Sequence, residues 1–377
     1  MSQKVITIVG TRPELIRLSV IMSRLDSILG ENHVICHTNQ NFTKNLKDIF
    51  FEQLGLRQPD IFLKSSMMDN STHTSFGLGQ QLADMFPQIE KIFQDIKPDK
   101  VFILGDTNSA LCAIIAERMG IPVYHMEAAN RSGNREIPEE VNRVLLDHTC
   151  SYNLFYTDTN RHTLLREGLD PKKIFQCGNP TMEVLTYYKN QIKKRTILED
   201  LGLAPWEGGA MASYFLVDIH RSENVNNIDR LRAIMDGLNL IGEKYQSPII
   251  CSVHPKTKDK LKAFSAFNKH IKFLDAFGFF DFVKLEQNAR VGLTDSGLCS
   301  EEYCLLQVPC VIVRNETERP EVVEAGGAIV SGIDANAILH SVEVMEQLRG
   351  GTWNPPQGYT DLNVSDKVVN YILSAKQ

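Results

Sequence analysis

Side chains able to do chemistry gather where the apolar runs of this sequence end. Asp106 stands in G-D-T-N-S after a run at 100–104, Glu127 closes V-Y-H-M-E, Glu139 lies in P-E-E-V-N-R, and His220 follows a run at 214–219. Arg12 lies in G-T-R-P-E, His254 in V-H-P, Ser296 and Gly297 in T-D-S-G, and Arg319 in T-E-R-P-E. Carboxylates from three separate segments, with a histidine, suit proton transfer on a neutral substrate. The arginines and a Ser-Gly helix start suit a diphosphate. Singly, each residue has a plainer account. Asp106 suits an N-cap, Glu139 and Glu140 behind Pro138 suit the first turn of any helix, Arg12 suits a carbonyl, and His125 or His254 suits a satisfied core position. Their coincidence at the carboxyl ends of strands in both halves points to a site, because ligands of open α/β sheets bind there.

The elements that must hold these residues alternate between strand and helix. Strands are expected at 4–10, 33–38, 100–104 and 151–156, with a short one ending at Glu127 and another at 174–177; helices are expected at 15–29, 43–54, 71–93, 110–119, 140–149 and 159–167. Strands at 214–219, 248–253, 291–293 and 310–313 repeat the pattern, with a helix running from T-D-S-G to Leu306. The pattern predicts an α/β protein of two Rossmann-like, doubly wound domains facing across a cleft. The turn Gly178-Asn179-Pro180 is the expected end of the first domain, and a helix over 182–201 would lead across. The expected division is 1–180, 181–355 and a C-terminal helix within 356–377 packing back on the first domain.

At 377 residues and 43% hydrophobic content the chain can bury a large core. A net charge of −6 without a long basic run argues against nucleic acid or an anionic membrane as the partner. The eight cysteines are scattered singly, with no C-x-x-C pair, and read as reduced core residues. The N-terminal M-S-Q-K-V-I-T-I-V-G starts a strand at once, and no apolar run approaches the roughly 20 residues that span a bilayer, so a cytoplasmic protein is expected. G-L-G-Q-Q-L at 77–82 lacks the third glycine of a dinucleotide fingerprint, and neither a P-loop nor a G-x-S-x-G elbow is present. No cofactor is expected. The acids form no D-x-D pattern, which favours a nucleotide-sugar enzyme that needs no metal.

Taken together, G-T-R-P-E at 10–14, G-D-T at 105–107, M-E-A at 126–128, P-E-E-V-N-R at 138–143, T-D-S-G at 294–297 and T-E-R-P-E at 317–321 resemble the non-hydrolysing UDP-N-acetylglucosamine 2-epimerases. The resemblance runs in order from about residue 4 to residue 330. It implies a GT-B-like fold, with the nucleotide held mainly by the second domain and the sugar in the cleft. It further implies that Asp106, Glu127 and Glu139 are acid/base carboxylates and His220 a histidine of the cleft. Arg12, His254, Ser296, Gly297, Glu302 and Arg319 would hold diphosphate and ribose, Arg17 and Arg143 would also bind substrate, and Phe282 would wall the uracil. A homodimer is expected from the same resemblance.

The C2 proton of such a sugar has no adjacent carbonyl, so the expected route is elimination of UDP to a 2-acetamidoglycal, reprotonation on the opposite face and re-addition. The loops A-N-R-S-G-N-R-E-I, L-G-D-T-N-S and I-H-R-S-E-N resemble the capsule and O-antigen branch, which converts UDP-2-acetamido-2,6-dideoxy-L-talose to UDP-N-acetyl-L-fucosamine. That conversion is the leading expectation. Epimerisation of UDP-N-acetylglucosamine to UDP-N-acetylmannosamine is the alternative, with a GT-B glycosyltransferase behind it. The chain departs from the family in two places: T-N-Q-N-F at 38–42 stands where many members have T-G-Q-H, which binds a second, regulatory substrate molecule, and Ala129 stands where a glycine is usual.

Overall fold

The computed structural model describes residues 3–40, 51–64, 77–207, 213–253, 255–262, 264, 267–351 and 353–374. Its strands are β1 (Val5–Val9), β2 (His33–His37), β3 (Ile61–Phe62), β4 (Lys100–Leu104), β5 (Val123–Met126), β6 (Tyr152–Phe155), β7 (Ile174–Gln176), β8 (Phe215–Asp218), β9 (Ile249–Val253), β10 (Ile271–Asp275), β11 (Gly292–Thr294), β12 (Cys310–Ile312) and β13 (Ala328–Val330). Contacts divide the chain into two units, Met1–Tyr187 with Gln357–Gln377, and Tyr188–Pro356.

The first unit holds one sheet in the order β3-β2-β1-β4-β5-β6-β7, and the second holds another in the order β10-β9-β8-β11-β12-β13. Every pairing is parallel. V-I-T-I-V and K-V-F-I-L are buried along their whole length, as central strands covered on both faces must be. Strand order reverses between β1 and β4 in the first unit and between β8 and β11 in the second. Each reversal opens a crevice at the strands' carboxyl ends. The two doubly wound sheets give the chain a GT-B-like fold.

Covering helices follow the 3.6-residue period. In helix Leu78–Ile96, Met85, Ile89 and Phe93 form one buried stripe against Ile6, Val101 and Ile103. In the second unit, Leu231, Ile234, Met235, Leu238 and Ile241 of helix Ile228–Tyr245 pack with Ile338, Val342 and Met345 of helix Ala335–Glu346. Helix Val364–Leu373 packs on helix Arg12–Leu29, so the last described helix belongs to the first unit.

Three differences from the sequence expectation stand out. The helix expected at 182–201 is three pieces, Thr181–Tyr187, Lys189–Lys193 and Ile197–Leu201. Tyr188 leaves the helical conformation at the boundary of the units and buries its ring 5.3 Å from that of Phe280, while Tyr187 stays 57% exposed. Strands β3, β10 and β13, all short or partly exposed, were not expected. Helix Arg12–Leu29 begins three residues early, with Thr11 as its N-cap. Residues 41–50, 65–76 and 208–212, which carry most of the helix expected at 43–54, the start of the one expected at 71–93 and part of a loop, lie outside the described residues.

Candidate active site

In the first unit the β1 turn comes first. A Cβ at Gly10 would lie 2.1 Å from Ser109 Oγ and 2.2 Å from Thr38 Oγ1, so only glycine fits there. Thr11 and Glu14 then make a capping box: Glu14 accepts from the backbone N–H of Gly10 (2.5 Å) and Thr11 (3.0 Å) and from the hydroxyl of Thr107 (2.7 Å). Burial raises the Glu14 pKa to about 7 against the lowering effect of these donors. Glu14 thereby ties the G-T-R-P-E turn to the G-D-T turn.

The next two strand ends carry one carboxylate each. Asp106 follows β4 and accepts from Arg143 Nε at 2.6 Å; its backbone carbonyl accepts from Asn142 Nδ2 at 2.9 Å. Glu127 follows β5, is buried, and forms an ion pair with Nη1 of buried Arg17. Glu127 sits at φ 74° and Ala129 at φ 72°, a region that non-glycine residues rarely enter. The two acids at the start of helix Pro138–Thr149 have separate fates. Glu140 is buried and clamps the preceding loop, accepting from Ser132 N (2.9 Å), Gly133 N (3.0 Å) and Arg143 Nη1 (2.8 Å). Although burial opposes it, these donors lower the Glu140 pKa. Glu139 stays half-buried.

A second layer supports this edge. Imidazole Nε2 of His125 lies 2.9 Å from the Gly105 carbonyl and Nδ1 lies 3.1 Å from Asp147 Oδ1. Asp147 Oδ2 accepts from Ala129 N (2.9 Å) and pairs with Arg131 Nη2 (2.8 Å). Arg12 is half-buried at the first position of its helix. Arg12, Arg17, Asp106, Glu127, Glu139 and Arg143 therefore all belong to the loops and helix starts at one edge of the first sheet.

The second unit places His220 after β8, Ser296 and Gly297 after β11, and Arg319 after β12. Asp295 is fully buried and accepts from the N–H groups of His220 and Arg221 (both 3.0 Å) and from Asn224 Nδ2 (2.9 Å). His220, its side chain 40% exposed, has Nδ1 3.1 Å from Asp218 Oδ2 and 3.8 Å from Asp295 Oδ1. Desolvation disfavours its imidazolium, but these carboxylates outweigh that and raise its pKa. Ser296 caps helix Gly297–Leu305, and a Cβ on Gly297 would lie 2.8 Å from Glu318 Oε1. Glu318 bonds Arg221 Nη2 (2.8 Å) and Arg314 Nη1 (2.6 Å), and buried Arg319 pairs with Glu301. Glu302 is buried in the same helix, and Phe282 is half-buried in helix Phe279–Asn288. His254 lies outside the described residues.

Sequence reading did not single out Glu14, Asp147, Arg131, Asp295 or Glu318. The capping-box spacing Thr11 to Glu14 and the i,i+4 spacing of Arg314 and Glu318 were local signals, whereas the partnerships of Asp147, Arg131 and Asp295 join distant segments. Among the described residues, Glu286, Cys299 and Glu302 form one group whose potential ligand atoms lie within 4.8 Å of one another. Burial pushes the Cys299 thiol well up, and its Sγ lies 3.6 Å from Asp218 Oδ2. Among the described residues no helix is long and apolar enough to cross a membrane. All eight cysteines are buried and free.

Two doubly wound domains with acids and arginines at their strand ends define the class of GT-B-like nucleotide-sugar enzymes. Residues 27–373 match the family model described as UDP-N-acetylglucosamine 2-epimerase. The chain is 40% identical to a UDP-N-acetylglucosamine 2-epimerase of Methanocaldococcus jannaschii, covering 93% of this chain and 94% of that one. It is 31% identical to the UDP-2,3-diacetamido-2,3-dideoxy-D-glucuronate 2-epimerase of Pseudomonas aeruginosa, over 90% of this chain and 91% of that one. A crystal structure of the M. jannaschii enzyme with UDP-GlcNAc and UDP superposes with a TM-score of 0.87 at 38% identity, covering 98% and 99% of the two chains. The chain belongs to the UDP-N-acetylglucosamine 2-epimerase family and is a non-hydrolysing isomerase. These relatives do not select the L-fucosamine-forming branch that the loop motifs suggested.

Proposed function

We propose that the chain interconverts UDP-N-acetylglucosamine and UDP-N-acetylmannosamine. The observation that carries this reading is the pair of carboxylates on neighbouring strands, Asp106 after β4 and Glu127 after β5, each held by its own arginine. Inverting C2 needs groups on two faces, one to remove a proton and one to deliver it. One carboxylate takes the C2 proton while the C1–O bond breaks and its electron pair leaves with UDP. The products are a 2-acetamidoglycal and UDP. A second carboxyl, protonated at the outset, delivers its proton to the opposite face of C2 as a UDP oxygen bonds C1 again. The two acids end with their protonation exchanged, ready for the reverse reaction. Glu139 is a third candidate for proton transfer. His220, His254, Ser296, Gly297 and Arg319 would stabilise the departing diphosphate, and Glu302 and Phe282 would take ribose and uracil.

The names of the similar proteins support the N-acetylglucosamine reading. The loops A-N-R-S-G-N-R-E-I and L-G-D-T-N-S favour a second reading, with UDP-2-acetamido-2,6-dideoxy-L-talose as substrate. Each sugar is incubated with the protein in deuterated water without added metal, and C2 is followed by proton NMR. Deuterium at C2 of an intact UDP-sugar supports epimerisation, and the faster substrate decides between the readings. Accumulating UDP with free sugar would indicate hydrolysis, and binding without exchange would overturn the mechanism.

A further inference from the structure

We propose that His125 is a positioning residue that works as an imidazolium, donating from both ring nitrogens so that Gly105 and the loop after Glu127 are held as one rigid edge. The inference deepens the proposed C2 chemistry and rests on it. His125 is 2% exposed on β5, and every polar neighbour of its ring is an acceptor. Nε2 faces the Gly105 carbonyl at 2.9 Å, and Nδ1 is in hydrogen-bonding geometry with Asn153 Oδ1 at 3.3 Å, while Asp147 Oδ1 lies beside it as an ion-pair partner at 3.1 Å. The Asn153 amide is oriented by its own Nδ2, which donates to the Asp147 carbonyl at 2.7 Å. A neutral ring carries one N–H, so either tautomer would aim a lone pair at an acceptor.

Both contacts act on the reacting edge. Gly105 precedes Asp106, and a Cβ built on it would lie 3.7 Å from Glu127 Oε2, so the Glu127 carboxylate lies over this residue. Asp147, shared between His125, Arg131 and the N–H of Ala129, holds the loop in which Glu127 and Ala129 adopt positive φ. Groups facing the ring are the Gly105 carbonyl after β4, Asn153 of β6 and Asp147 of helix Pro138–Thr149; Arg131 reaches it through Asp147. Desolvation disfavours a charged His125, but Asp147 outweighs it and raises the pKa. Asp147 is correspondingly lowered against its own desolvation by His125 and Arg131.

The first test is 15N NMR of the histidines in the full chain at pH 7.5, with His125→Gln identifying the resonances. Both His125 nitrogens should be protonated; a single neutral tautomer overturns the proposal whether or not any UDP-sugar turns over. The second uses the pH profile of C2 exchange. Asp147→Asn should move the alkaline limb of kcat about one pH unit or more toward acid, with KM within threefold of wild type, and Asp147→Glu should restore it. An unmoved limb in Asp147→Asn overturns the role. Absence of C2 exchange in wild type, with a doubly protonated His125, would instead refute the proposed reaction.

Discussion

The proposed proton-transfer end of the first sheet and the corresponding end of the second handle charge differently. After β4 and β5 the two carboxylates differ in exposure: Asp106 is partly exposed, Glu127 is buried on a positive-φ backbone, and each pairs with a buried arginine. After β8, β11 and β12 the carboxylates turn inward. Asp295, Glu301 and Glu318 are buried, and each fixes a loop or an arginine. Described non-glycine residues with positive φ near the reacting groups belong to the first unit, whereas Gln246 and Gln307 of the second follow helices. Positive-φ backbone and the proposed proton-transfer groups thus coincide in the first unit, whereas the buried acids of the second unit are committed to arginines and loop N–H groups. A base must meet its substrate, but a diphosphate cradle gains by having its arginines immobilised beforehand.

Removing an acid that follows β4 or β5 should have the largest effect. Glu127→Gln and Asp106→Asn are each expected to lower C2 exchange by about 10⁴-fold with an unchanged far-UV circular dichroism spectrum. Full exchange in either would erase the contrast between the two edges. An inward-facing acid should act on stability and nucleotide affinity. Glu318→Gln removes the 2.6 Å ion pair of buried Arg314, which retains Glu223 at 3.6 Å, and the 2.8 Å pair of partly buried Arg221, at a cost of about 3 kcal/mol in denaturant unfolding. It should also weaken UDP binding in calorimetry, and unaltered affinity would show that these arginines do not set the cradle.

Glu14 sharpens the comparison through pH. Its pKa is raised to about 7, so the folded state binds its proton more tightly than the unfolded chain. The associated stability is complete below the unfolded value of 4.5 and is lost as pH rises through about 7, on the order of 3 kcal/mol in all. Chemical denaturation of Glu14→Gln across this window should show that slope reduced; an identical slope would place the titration elsewhere. The smallest effect belongs to Ala129→Gly. At φ 72° glycine avoids the side-chain cost, and stability should rise by no more than about 1 kcal/mol, with exchange nearly unchanged.

Legibility in the sequence followed the range of the interaction. Strand ends were readable because V-I-T-I-V and K-V-F-I-L are continuous apolar runs that stop at G-T-R-P-E and G-D-T. Pro138 and the acids behind it marked a helix start, but the pattern could not assign Glu140 to a loop clamp, since its partners Ser132 and Gly133 reach it only when the loop folds back. Asp147 looked like one more helical residue until His125 and Arg131 met it. The helix at 182–201 kept its periodicity across a unit boundary, and its break at Tyr188 depends on Phe280. Asn39 is intermediate: it takes φ 59°, an αL position suited to glycine or asparagine, while its side chain donates to the Leu63 carbonyl. Asn41 lies outside the described residues.

The return of the C-terminal helix has a consequence for synthesis on the ribosome. The second unit is one uninterrupted segment, whereas the first is assembled from two pieces that bracket it. Lys100, at the start of the central strand β4, bonds the carbonyl of Ile372, a partner 272 positions later, and Ser365 donates to Glu183. Asp366 pairs with Arg24 in the same seam. A nascent chain therefore presents a nearly complete first sheet with its Lys100 side chain and the Arg12–Leu29 helix still uncovered. The second unit can close on its own residues during that interval. Completion of the first unit therefore waits until the Val364–Leu373 helix has been synthesised.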